Sequence, residues 1–136
     1  MPDELHLTIA SDVDIVQARA KGRELAAAHG FTIGDQTVIA TAISEVARNI
    51  LLYARRGEVR IRTATDTDRE GLLIVAEDHG PGIRDIARAL QDGFSTSGGL
   101  GLGLPGARRL MDDFDVQSVP GQGTTVTMTK WKRSHG

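Results

Sequence analysis

Two glycine clusters stand beside residues able to do chemistry: Asp78-His79-Gly80-Pro81-Gly82, and Gly98-Gly99-Leu100-Gly101-Leu102-Gly103. Glycine accepts positive φ and lets a ligand reach main-chain N–H groups, and a helix start adds partial positive charge where an anion would sit. The second cluster, running into a helix, therefore offers donors to a polyphosphate. Asp78 follows the apolar run Leu72-Leu73-Ile74-Val75-Ala76. Its carboxylate repels phosphate and suits an amino group such as that of adenine. An acceptor for a base at one end and donors for phosphates at the other make the arrangement of a nucleotide site. Ser95, Thr96 and Ser97 stand between Gly93 and Gly98. Small hydroxyl residues in that company suit a lid closing on a triphosphate better than a phosphorylated segment.

A third element, Ser44-Glu45-Val46-Ala47-Arg48-Asn49, places Glu45 and Asn49 four apart in a helical pattern and so on one face. Glu45 there can accept a proton or orient an attacking group. The neutral amide oxygen of Asn49 can ligate a Mg²⁺ that bridges phosphates. Gly121-Gln122-Gly123-Thr124 is a fourth element. Taken alone, an Asp-x-Gly-x-Gly run can be a turn and a Glu/Asn pair a solvated helix face. Four such elements together point to a nucleotide site. No Walker A sequence and no HRD or DFG set of the protein kinases occurs.

In this order and spacing the elements resemble the GHKL ATPase and kinase superfamily. Glu45 and Asn49 match its N box, Asp78, Gly80 and Gly82 its first glycine box, Gly99, Gly101 and Gly103 its second, and Gly123-Thr124 its last. The run from Asp92-Gly93-Phe94 through Leu104-Pro105-Gly106, with Ser44-Glu45-Val46-Ala47-Arg48-Asn49-Ile50, is similar to serine/threonine kinases of bacterial stress signalling, above all the RsbT-type switch kinases of the stressosome. The likeness spans residues 8–131. It implies ATP and Mg²⁺ as cofactors, a STAS-domain antagonist phosphorylated on serine, and a serine phosphatase activated by contact. Two alternatives share these boxes: an anti-sigma factor kinase, and a binding module in which ATP only gates a conformation. The chain departs from the wider superfamily in lacking a Lys or His soon after the N-box Asn. Arg48, Arg55 and Arg56 are the nearby basic residues for a phosphate contact.

These residues need elements to position them. Leu5, Leu7 and Ile9 alternate as a half-buried strand. Ser11 then offers an N-cap, and Ile15, Ala18, Gly22 and Leu25 form a helical stripe ending at Gly30. A second helix is expected from near Asp35, with Ile39, Ile43, Val46 and Ile50 toward the core and Glu45, Arg48 and Asn49 on its flank. Val59 and Ile61 alternate with arginines, and the stretch 66–71 is expected to turn the chain into the apolar strand ending at Ala76. Residues 83–90 read as a short helix. A further helix has Pro105 in its first turn and runs through Met111. Residues 114–119 and 124–131 read as a last hairpin. The order implies an α/β two-layer sandwich, a mixed sheet with helices packed on one face.

Bulk properties bound the rest. At 136 residues the chain suits one kinase domain hiding roughly two-thirds of its unfolded surface. With 16 basic and 18 acidic residues the net charge is −2, without the basic excess of nucleic-acid binding. The absence of Cys excludes disulfides, thiolate metal sites and thiol catalysis. His6, His29, His79 and His135 have no metal-ligand spacing. The acidic opening lacks an apolar leader and no apolar run approaches the roughly 20 residues of a membrane span, so a cytoplasmic protein, off the membrane, is expected.

Overall fold

The computed structural model describes residues 4–82 and 103–132. The short helix expected at 83–90 lies outside the described residues. The described strands are β1 (Glu4–Ile9), β2 (Gly57–Asp66), β3 (Arg69–Asp78), β4 (Asp113–Val119) and β5 (Gly123–Trp131). They form one five-stranded sheet in the order β1-β2-β3-β5-β4. The described helices are α1 (Asp12–Ala28), α2 (Ile33–Tyr53) and α3 (Gly103–Leu110).

The layering is as expected; the strand pairing is not. A mixed sheet follows from the element order, yet every hydrogen-bonded pair is antiparallel. β3 and β4 do run the same way, as a helical crossover requires. The hairpin strand β5 folds back from β4 and inserts between them, so the two parallel strands never pair.

One face of the sheet makes the core. Val59, Ile61, Leu72, Ile74, Ala76, Val126 and Met128 alternate inward and meet Ile15, Ala18 and Leu25 of α1 and Ile39, Ile43, Val46 and Ile50 of α2. Each of the valine, leucine, isoleucine and methionine side chains among them, once buried, contributes roughly 1.5–3 kcal/mol of transfer free energy. On the other face Arg60 and Arg62 are exposed.

Local signals set the helix ends. α2 starts two residues before Asp35, because the Thr32 hydroxyl accepts from the Asp35 N–H at 3.1 Å and caps the helix there. Ser11 occupies the N-cap position of α1, but its hydroxyl makes no cap bond. Asp14 reaches back instead and accepts from the Ala10 N–H at 2.8 Å. α3 stops at Leu110, one residue short of the expected Met111.

The β2–β3 turn is tighter than the polar stretch 66–71 implies. Asp66 faces Arg69 across the ladder, leaving only Thr67 and Asp68 in the loop, with Thr67 at φ 48°. Gly71 lies inside β3, paired with Ala64 and Trp131, and a Cβ there would overlap the Lys130 carbonyl oxygen and stand 2.9 Å from the Trp131 ring on β5. The last two strands begin one residue earlier than expected, at Asp113 and Gly123.

Candidate functional site

The site lies where β3 ends and β2 and β5 begin. Gly57, Asp78 and Thr124 stand in one row across these central strands. Ending an apolar strand with an aspartate leaves a carboxylate at the rim of the core, and Asp78 is only 6% exposed. Its Oδ1 accepts from the Gly80 N–H at 2.9 Å and from the Thr124 N–H at 3.3 Å. Among the described residues none donates to Oδ2. Two main-chain donors thus orient the group and leave one oxygen for another partner.

The glycines after Asp78 answer to the protein itself. A Cβ on Gly80 would come within 2.6 Å of the Ala54 Cβ, just past the end of α2. On Gly82, at φ +79°, it would come within 2.6 Å of the Val119 carbonyl oxygen. The Pro81 carbonyl also accepts from the Gly121 N–H at 2.7 Å, tying this loop to the β4–β5 turn. Close chain approach therefore demands glycine here, over and above any ligand.

Thr124 is buried, and its hydroxyl shares a 2.9 Å hydrogen bond with Ser118, its neighbour across β4 and β5. Sequence reasoning passed over Ser118 and Ala54. The register that opposes Ser118 to Thr124 would have revealed the first, but register follows from the hairpin geometry.

Glu45 is more deeply placed than a flank position implies, at 6% exposure. Oε1 accepts from Arg48 Nη1 at 3.0 Å and Oε2 from the Gly103 N–H at 2.7 Å. The second bond joins α2 to the first residue of α3 across 58 positions of sequence. A carboxylate at a helix N-terminus is electrostatically favoured there. The Gly103 amide, expected to donate to phosphate, thus donates to Glu45.

Asn49 follows one helical turn later, half-buried, and its amide has no hydrogen-bond partner among the described residues. Arg48 is turned onto Glu45, whereas Arg55, at φ 68°, and Arg56 are exposed just beyond α2. His79 is a surface residue, 86% exposed beside Glu77. The described structure thus joins Asp78, Gly80 and Thr124 at the strand ends, sets Gly80 against Ala54 just past α2 and Gly82 against Val119, and joins Glu45 of α2, one turn before Asn49, to Gly103 of α3. The positions Ser95, Thr96, Ser97, Gly98, Gly99, Leu100, Gly101 and Leu102 lie outside the described residues.

Residues 34–134 match the family of histidine kinase-, DNA gyrase B- and HSP90-like ATPases. The chain is 53% identical over 133 residues to the serine/threonine-protein kinase RsbT of Bacillus subtilis, covering 98% of this chain and 100% of that one. It is 35% identical over 105 residues to the anti-sigma F factor of Caldanaerobacter subterraneus, covering 74% and 73% of the two chains. A crystal structure of the RsbU and RsbW domains of a Mycobacterium tuberculosis protein has the same fold, with a TM-score of 0.69 at 23% identity. That match covers 98% of this chain and 34% of the other, so the chain spans about a third of the larger protein.

Proposed function

The chain belongs to the family of histidine kinase-, DNA gyrase B- and HSP90-like ATPases and is a serine/threonine-protein kinase using ATP; from that premise we propose roles for its residues and partners. The observation carrying the reading is the buried Glu45 carboxylate, held at the N-terminus of the helix into which the second glycine cluster leads.

Asp78 Oδ2 accepts from the amino group of the base while Gly80 and Thr124 hold Oδ1. Main-chain N–H groups of residues 98–102 donate to the phosphates, closed over by Ser95, Thr96 and Ser97. Asn49 supplies a hard oxygen ligand for Mg²⁺. Among the described residues no three His, Cys, Asp or Glu side chains cluster to cage a metal. A neutral amide oxygen suits Mg²⁺, which keeps several waters and substrate phosphates around it. When bound, the ion would offset phosphate charge. Glu45 takes the proton of the attacking hydroxyl. Because phosphoryl transfer is largely dissociative, positioning matters more than strong basicity.

The 53% identity to RsbT over nearly the whole chain supports a partner-switching role in the cytoplasm. The substrate would be a serine of a STAS-domain antagonist, and a serine phosphatase would be activated by contact with the released kinase. No described helix is long and apolar enough to cross a membrane. A second reading, sequestration of a sigma subunit, rests on the 35% identity to an anti-sigma F factor, and a pull-down with sigma factors separates the two.

The decisive experiment on the site pairs two variants. Glu45→Ala retains nucleotide binding and loses about two to four decades of phosphotransfer. Asn49→Ala also weakens Mg²⁺-dependent binding. Transfer at the parent rate by Glu45→Ala would remove the carboxylate from the mechanism.

A further inference from the structure

Arg48 has no part in the chemistry above, yet its guanidinium lies on the carboxylate that takes the proton. We propose that Arg48 is a positioning residue for phosphotransfer, holding Glu45, jointly with the Gly103 amide, in the orientation from which it accepts the proton. The inference rests on Glu45 acting as the base.

The terminal torsion of a glutamate is broad and roughly two-fold, so an unheld carboxylate samples many planes. Here each oxygen has its own donor, Arg48 Nη1 on Oε1 at 3.0 Å and the Gly103 N–H on Oε2 at 2.7 Å. Two donors on two oxygens fix the plane. Each oxygen still keeps a lone pair for an incoming hydroxyl.

The spacing is the ordinary i,i+3 one, and on a solvated helix such a pair has little consequence. This pair differs in its burial: the Glu45 side chain is 7% exposed and that of Arg48 39%. The arginine reaches in from the surface to a charge that cannot turn to water. A displacement of about 1 Å at a reacting group can cost on the order of a hundredfold in rate.

The test compares Arg48→Met, Arg48→Gln and Arg48→Lys with the parent chain. Hydrolysis of labelled Mg²⁺–ATP, with water in place of the substrate hydroxyl, reads the chemistry. Titration with a non-hydrolysable ATP analogue reads binding. Arg48→Met is expected to keep analogue affinity within about twofold while kcat falls roughly ten- to a hundredfold. Arg48→Lys, keeping a cation, recovers most of the loss, and Arg48→Gln falls between. A merely structural role predicts no such rescue order in kcat at constant affinity.

A double variant separates action through Glu45 from action by Arg48 itself. In the Glu45→Gln background Arg48→Met should change the residual rate by less than about twofold, since it acts through a group already removed. If the two losses multiply instead, Arg48 acts on its own and the inference is wrong while the base survives. If analogue affinity collapses with kcat intact, Arg48 is a phosphate contact and the inference is again wrong. If Glu45→Gln alone hydrolyses ATP at the parent rate, the base assignment has failed, and the positioning role with it. Should Arg48→Met melt below the assay temperature, the Lys-to-Gln comparison carries the same decision.

Discussion

The two ends of β3 carry the same residue types and use them in opposite ways. At its C-terminal end Asp78 is buried and, among the described residues, accepts only from main-chain N–H groups, and close chain approach requires glycine at positions 80, 82 and 123. At its N-terminal end Asp66 and Asp113 are exposed and accept from side chains, while the exposed Asp112 accepts from the Trp131 main-chain N–H at 2.7 Å. Asp66 takes a 2.7 Å pair from Arg69, Asp113 accepts from the Trp131 ring N–H at 2.9 Å, and Arg69 lies 4.1 Å above that ring. Main-chain donors cannot rotate away, and a buried acceptor has no water to fall back on. Side-chain partners at the surface have both options. The carboxylate of the first end is therefore fixed to one direction, whereas those of the second end mainly tie strands together.

The contrast is broken most severely by adding a methyl group at the first end. A Cβ on Gly123 would overlap the Asp78 carbonyl oxygen and stand 2.9 Å from the His79 Cα, at φ +137°. Gly123→Ala is expected to lose about 2–5 kcal/mol of stability from overpacking plus backbone strain, read by urea unfolding. A midpoint equal to the parent's would mean that the row can widen, and that its rigidity is overstated.

Asp78→Asn comes next. It exchanges half of the acceptor capacity for donors facing an amino group, and loss of a charged hydrogen bond costs about 1.5–3 kcal/mol, or one to two decades of affinity. Calorimetric titration of a non-hydrolysable ATP analogue gives the number. Unchanged affinity in a folded variant would place the base elsewhere.

At the second end the effects shrink. Asp113→Asn keeps an acceptor oxygen for the Trp131 ring N–H, so only about 0.5–1.5 kcal/mol is at stake. Trp131 is the one tryptophan in the sequence, and its fluorescence during unfolding reports that loss directly. A larger loss than at Gly123 would reverse the comparison.

The smallest effect belongs to Asp66→Asn. Its carboxyl is held below the ordinary value of 3.8 by the hydrogen bond from Arg69 first, then by that guanidinium's charge and the Thr67 hydroxyl. A lowered value stabilises the fold above pH 3.8 and loses the contribution as pH falls through the folded value. Parent and variant should therefore melt together in strong acid and differ only slightly at neutral pH. A gap that widens on acidification has the wrong sign and would contradict the assignment to Arg69.

What the residues alone determined is the local chemistry and the layers. An aspartate closing an apolar strand before Gly-Pro-Gly, a glutamate and an asparagine one turn apart, and the stripe of Ile39, Ile43, Val46 and Ile50 are short-range patterns, and short-range patterns are written in consecutive residues. The tertiary structure decided what depends on distant partners. β5 lies between β3 and β4 because the hairpin folds inward, so a sheet that element order makes mixed is antiparallel throughout. Gly71 is a strand residue because the ladder pairs it with Ala64 and with Trp131, far along the chain. Glu45 is a buried, doubly held carboxylate because Gly103 arrives 58 residues later to meet it. No periodicity encodes such a contact, since its geometry exists only once two helices and a sheet have closed around the same point.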